Sequence, residues 1–91
     1  MRLQGKISII TGAAHGMGAA EAHLFAAEGS KVVVADVLEV EGNEVAKEIS
    51  TSGGEAIFVQ MDATSEEDWQ RTVQRTVSQF GGLNVLVNNA G

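Results

Sequence analysis

Thr11-Gly12-Ala13-Ala14-His15-Gly16-Met17-Gly18 separates two segments of different period. Before it, Lys6 to Thr11 (KISIIT) is rich in β-branched residues and stops at the first glycine, the pattern of a buried strand. After it, Met17 to Glu28 carries Met17, Ala20, Leu24 and Ala27 at helical spacing, and Gly29 stands where a C′ glycine ends a helix. The expected unit is a strand, a glycine turn and a helix whose apolar face is formed by those four residues.

Working outward, the alternation repeats. Lys31 to Val37 (KVVVADV) is nearly continuous apolar sequence, as a parallel strand covered on both faces should be. Glu39 to Ser52 keeps Val45, Ala46 and Ile49 together at helical spacing and ends at Gly53-Gly54, and Ala56 to Met61 (AIFVQM) is the next strand. Thr64-Ser65-Glu66-Glu67 has the form of a capping box, with Thr64 as the cap and Glu67 reaching back. Trp69, Val73, Val77 and Phe80 then mark an apolar stripe. The tandem QRTV from Gln70 to Val77 only places like residues on one helix face and carries no function. Gly81-Gly82 precedes Leu83 to Val87, which runs as a strand into Asn88-Asn89-Ala90-Gly91.

The order β-α-β-α-β-α-β implies a parallel sheet with right-handed crossovers. The fold class is therefore α/β, a Rossmann-type doubly wound parallel sheet, first half only, with strand order 3-2-1-4. Residues 1–91 form one half-domain, read as a piece of a longer single-domain protein.

A glycine turn between a strand and a helix lets backbone N–H groups at the helix N-terminus approach a diphosphate. Gly12 supplies the tight turn, Gly16 removes a Cβ from the phosphate path, and Gly18 lets the helix pack closely on the sheet. Asp36 falls 24 residues after Gly12, at the end of the second strand, where a carboxylate accepts from a ribose diol. It would repel a 2′-phosphate, and the next basic residue is Lys47, so NAD is favoured over NADP. Asp62 ends the third strand and has two readings: with the backbone of Ala63 it meets an adenine edge, or it caps the following turn. His15 is either a phosphate donor or a plain loop histidine. His23 is read as a surface or packing histidine, and Glu39, Glu41, Glu44 and Glu48 as a solvated face without metal.

Composition narrows the chemistry. The chain of 91 residues has no Cys and no Tyr, which removes disulfides, thiol nucleophiles, cysteine-bound zinc and any phenol mechanism. Twelve acidic against six basic side chains disfavour a nucleic-acid partner. No stretch has the length of a membrane span or a secretory signal, and a cytoplasmic location is expected.

These motifs together resemble the short-chain dehydrogenases/reductases. The family's T-G-x-x-x-G-x-G loop is matched by Thr11, Gly12, Gly16 and Gly18, its strand-two acid by Asp36, its adenine-side acid by Asp62, and its N-N-A-G segment by Asn88 to Gly91. The resemblance implies backbone phosphate contacts at His15 and Met17, an adenine contact at Asp62 and Ala63, and a contact from Asn89 to the adenine-side ribose. It also implies that Asn88 to Gly91 brace the sheet beside the first strand. The implied parent activity is hydride transfer between a nicotinamide dinucleotide and a small-molecule secondary alcohol or ketone, in an intact parent expected to be a homo-oligomer. The family's catalytic Ser, Tyr and Lys lie beyond the N-N-A-G segment, so no catalytic residue is assigned and the 91 residues alone are expected to be inactive. The free edge of the fourth strand predicts marginal stability or self-association. The alternative reading is a stand-alone, non-catalytic NAD-binding or regulatory module.

Overall fold

The computed structural model describes residues 2–89, so the expected contribution of Ala90 and Gly91 to a brace lies outside it. The elements follow in the expected order: β1 (Ile7–Thr11), α1 (Gly16–Ala27), β2 (Lys31–Asp36), α2 (Glu39–Thr51), β3 (Glu55–Gln60), α3 (Glu66–Phe80) and β4 (Val85–Asn88). All pairings are parallel, and the sheet order is β3-β2-β1-β4.

Continuous apolar sequence marks the strands that are covered on both faces. Every residue of β1 is buried, as is every residue of β2 after Lys31. On one face Ile10, Val32 and Val34 meet Ala22 of α1 and Val45, Ala46 and Ile49 of α2. On the other, Ile9, Val33, Ala35 and Val59 pack with Trp69, Val73 and Phe80. Strands β3 and β4 form the edges, and Leu86 of β4 remains half exposed.

Two helices differ from the periodicity. In α1, Met17, Ala20, Leu24 and Ala27 all face outward, with Met17 73% exposed, and the buried residues are Gly18 and Ala22. A helix that approaches the strand-to-helix loop this closely presents its smallest residues inward, and larger apolar side chains are displaced to the surface. In α3, Trp69, Val73 and Phe80 are partly buried as expected, but Val77 is exposed and Thr72 and Thr76 are fully buried. Each threonine hydroxyl donates to the carbonyl four residues earlier, at 2.7 Å, so burial leaves no unpaired hydroxyl. The QRTV tandem thus supplies a self-satisfied inner face.

Candidate functional site

The carboxyl ends of β1, β2 and β3 open into a cleft of about 130 Å³ lined by Thr11, Gly12, Asp36, Val37, Asp62 and Ala63, among others. A larger groove of about 350 Å³ lies at the opposite sheet edge, lined by Gly29, Ser30, Gly53 and Glu55. Helices α1 and α2 end there, presenting carbonyl oxygens, the wrong polarity for a phosphate. The first cleft is therefore the candidate site.

The glycine loop is shaped by backbone requirements. Gly12 and Gly16 both hold φ of +61°, a conformation that disfavours a Cβ. The space around the two later glycines differs. A Cβ at Gly16 would meet nothing within 4 Å, so its conformation, not crowding by protein, calls for glycine. A Cβ at Gly18 would stand 2.0 Å from the Gly12 carbonyl oxygen, so this glycine closes the helix onto the loop before the sheet.

Helix α1 begins after His15, whose exposed side chain makes no cap, and its first turn contains no acid. The first-turn N–H groups of a helix lack intrahelical partners, and together with the dipole they favour an anion. Met17, the residue with the expected backbone contact, sits on this turn with its side chain in solvent.

Asp36 is buried to 9% exposure at the end of β2. Its Oδ2 accepts from the Ala14 N–H at 3.1 Å and its Oδ1 from the Leu38 N–H at 3.0 Å. Each oxygen retains acceptor capacity for a further donor.

Asp62 is exposed, and its geometry is that of a turn. Its Oδ1 accepts from the Thr64 hydroxyl at 2.7 Å and the Thr64 N–H at 2.9 Å. The Thr64 hydroxyl first, and then its amide, hold the Asp62 carboxyl below its ordinary pKa. Because Thr64 is occupied in this way, the cap of α3 shifts by one residue and the reciprocal bond of a capping box is not made, the Ser65 N–H donating instead to the Asp62 carbonyl at 2.9 Å. Ser65, not Thr64, caps α3 by accepting from the Asp68 N–H at 3.2 Å. Asp68, not Glu67, reaches back, accepting from the Asp62 N–H at 2.8 Å. The Ala63 carbonyl accepts from the Trp69 indole at 2.8 Å.

The end of β4 is tied to β1 through Thr11. The Thr11 hydroxyl donates to Asn88 Oδ1 at 2.7 Å and accepts from the Asn89 N–H at 3.0 Å. Asn89 Nδ2 donates to the Thr11 carbonyl at 3.2 Å and to Glu21 Oε1 of α1 at 2.6 Å. The expected brace is thus present for the two described asparagines. Asn89 lies beyond the Thr11 end of the cleft, with its side-chain amide engaged by protein groups.

Two residues near the cleft escaped the sequence reading. Val37 lines it with 55% exposure, and its signal was a valine following the strand-ending acid. Glu21 had no signal, because only the tertiary fold brings it to Asn89. His23 is a surface residue paired with Glu48 at 3.0 Å. Among the described residues no group of three His, Cys, Asp or Glu is placed to hold a metal, and no helix is long and apolar enough to cross a membrane.

Comparison with known proteins yields a match of residues 6–91 to the short chain dehydrogenase family model. A 2,5-dichloro-2,5-cyclohexadiene-1,4-diol dehydrogenase of Sphingobium indicum is 46% identical over 90 residues, covering 99% of this chain and 36% of the relative. A 3-alpha-(or 20-beta)-hydroxysteroid dehydrogenase of Mycobacterium tuberculosis is likewise 46% identical over 90 residues, 99% of this chain and 34% of its own length. The solved structure of a hydroxysteroid dehydrogenase from Escherichia coli superposes with a TM-score of 0.96 at 42% identity, over 99% of this chain and 38% of that one. The chain therefore spans about a third of the length of the relatives it matches.

Proposed function

This chain belongs to the short-chain dehydrogenase family, and on that premise we propose that it is the dinucleotide-binding portion of an oxidoreductase interconverting a secondary alcohol and a ketone. NAD is the proposed cofactor, in preference to NADP. The observation that carries this reading is a cleft walled by Thr11, Gly12 and the strand-ending carboxylate of Asp36, with the loop from Gly12 leading into an uncapped, acid-free helix N-terminus. The first turn of α1, with Gly12, His15, Gly16, Met17 and Gly18, would hold the diphosphate by backbone N–H groups. Asp36 would accept from the adenine-side ribose, and Asn89, across β1 from it, is the second residue proposed to contact that ribose. Asp62, Ala63 and Val37 would bound the adenine. The exposed His15 imidazole stands at the loop mouth, within the same proposed phosphate region.

When bound, the nicotinamide supplies the hydride exchange. This chain's residues bind and orient, and the proton transfer to or from the substrate oxygen belongs to residues outside the 91, since no tyrosine is present here. The proposed substrate class, a small alcohol or ketone, is supported by the relatives' dehydrogenase names, a homo-oligomeric parent is proposed from the same resemblance, and a cytoplasmic location is proposed from the sequence.

The test is a titration of the purified protein with NAD and NADP. Saturable binding with NAD tighter than NADP is expected. Asp36→Ala combined with Val37→Arg should shift the preference toward NADP, because a repelling charge is removed and a pairing one added. Absence of saturable NAD binding sinks the cofactor reading, and unchanged selectivity in the double variant sinks the role of Asp36.

A further inference from the structure

The glycine loop that faces the cleft is held from two sides. Beneath it, Gly18 sits so close to the Gly12 carbonyl that no side chain fits between them. Beside it, consecutive loop amides dock on consecutive residues of β2. The Ala13 N–H donates to the Ala35 carbonyl at 3.3 Å, and the Ala14 N–H donates to Asp36 Oδ2 at 3.1 Å. The second of these is a charge-assisted bond between buried groups, with Ala14 6% exposed and Asp36 9% exposed. The other Asp36 oxygen secures Leu38 at the entrance to α2.

A glycine-rich segment loses more conformational entropy than others when it orders around a ligand, and ordering it beforehand removes that cost from binding. Coulomb repulsion alone would make a carboxylate attached to such a loop unfavourable for a diphosphate. Shaping the loop is a contribution of the opposite sign.

We propose that Asp36 is a positioning residue for the phosphate loop as well as an acceptor for the ribose. Its carboxylate holds Ala14 so that the loop is set for a diphosphate before the dinucleotide arrives, and ribose and diphosphate recognition are coupled through one side chain. The proposal rests on the dinucleotide reading of the cleft, and its test separates the two.

Adenosine carries a ribose without phosphate, and inorganic pyrophosphate carries the phosphates without ribose. Asp36→Asn keeps the side-chain volume but leaves one acceptor oxygen for two N–H donors. In the purified protein at its natural length, the variant should bind adenosine more weakly. It should also bind pyrophosphate about tenfold more weakly, although a negative charge has been removed. Hydrogen exchange at the Ala14 amide of the cofactor-free protein should accelerate by a similar factor, with Ile9 and Val33 unchanged. Pyrophosphate binding that is equal or tighter, with unaltered Ala14 exchange, overturns the proposal and leaves Asp36 as a ribose acceptor only. Should Asp36→Asn fail to fold, the wild-type protein still decides the matter by NMR. The Ala14 amide must be protected from hydrogen exchange in the cofactor-free protein, and exchange as fast as that of an unbonded loop amide overturns the anchor. If the wild-type protein binds none of NAD, adenosine and pyrophosphate, the dinucleotide reading falls, and the Ala14 measurements judge the anchor alone.

Discussion

Helices α1 and α3 both start just beyond the carboxyl edge of the same sheet, yet their N-termini are built oppositely. That of α3 is closed: Ser65 caps it, and Glu66, Glu67 and Asp68 fill its first turn with negative charge. That of α1 is open: no side chain caps it, no acid enters its first turn, and Gly16 leaves the space beside it empty. A helix start that satisfies its own N–H groups gains local stability and has little left to offer an external anion. One left unsatisfied loses that stability and keeps its donors for a ligand. The contrast separates a structural terminus from a proposed binding terminus on physical grounds.

The most damaging way to break the comparison is Gly18→Ala. With a backbone oxygen 2.0 Å from the new Cβ, the start of α1 must move away from the loop. A loss of about 3 kcal/mol in chemical denaturation is expected, together with loss of NAD binding. Gly16→Ala, where the added methyl meets open space, should cost only the positive-φ strain, about 1–2 kcal/mol. Equal effects at the two glycines would remove the close-packing argument.

The comparison is sharpened by making α1 resemble α3. Met17 is 73% exposed, so Met17→Glu adds a first-turn acid without disturbing packing. It should raise stability by about 0.3–1 kcal/mol while weakening NAD binding several-fold, read by thermal unfolding and calorimetric titration. Stability and binding moving in the same direction would contradict an anion role for this terminus. The converse change, Ser65→Ala, removes the cap of α3 and should cost about 1 kcal/mol, with NAD affinity nearly unchanged.

The smallest effect concerns the turn before α3. Thr64 holds the Asp62 carboxyl below its ordinary pKa, so the associated stabilisation is present above the unfolded carboxyl value and is lost as pH falls through the lower folded value. Thr64→Val removes the hydroxyl donor, and NMR titration should then show the Asp62 pKa moving upward. An unmoved pKa would mean that the hydroxyl bond does not hold the carboxylate.

Much of this architecture was legible without coordinates. Ile7 to Thr11 and Val32 to Asp36 are runs whose burial follows from their own composition, and the glycine loop between β1 and α1 is set by local backbone demands at Gly12 and Gly16. Asp36 ends β2 as its position in the sequence implies, whereas Asp62 lies two residues past the end of β3, in the turn before α3. The inner face of α1 was not legible. Four apolar residues at helical spacing pointed one way, but closeness to the loop put Gly18 and Ala22 inside. The cap of α3 was displaced by one residue because two hydroxyl residues, Thr64 and Ser65, had different nearby acceptors and donors to choose from.

By itself, then, the sequence determined the order of strands and helices, the parallel sheet and the position of the glycine loop, because those follow from short-range periodicity and backbone sterics. Tertiary structure alone decided that Asp36 grips Ala14 and that Asn89 reaches both Thr11 and Glu21. Those contacts join groups 22 to 78 positions apart, and their partners are selected by the packing of one element against another.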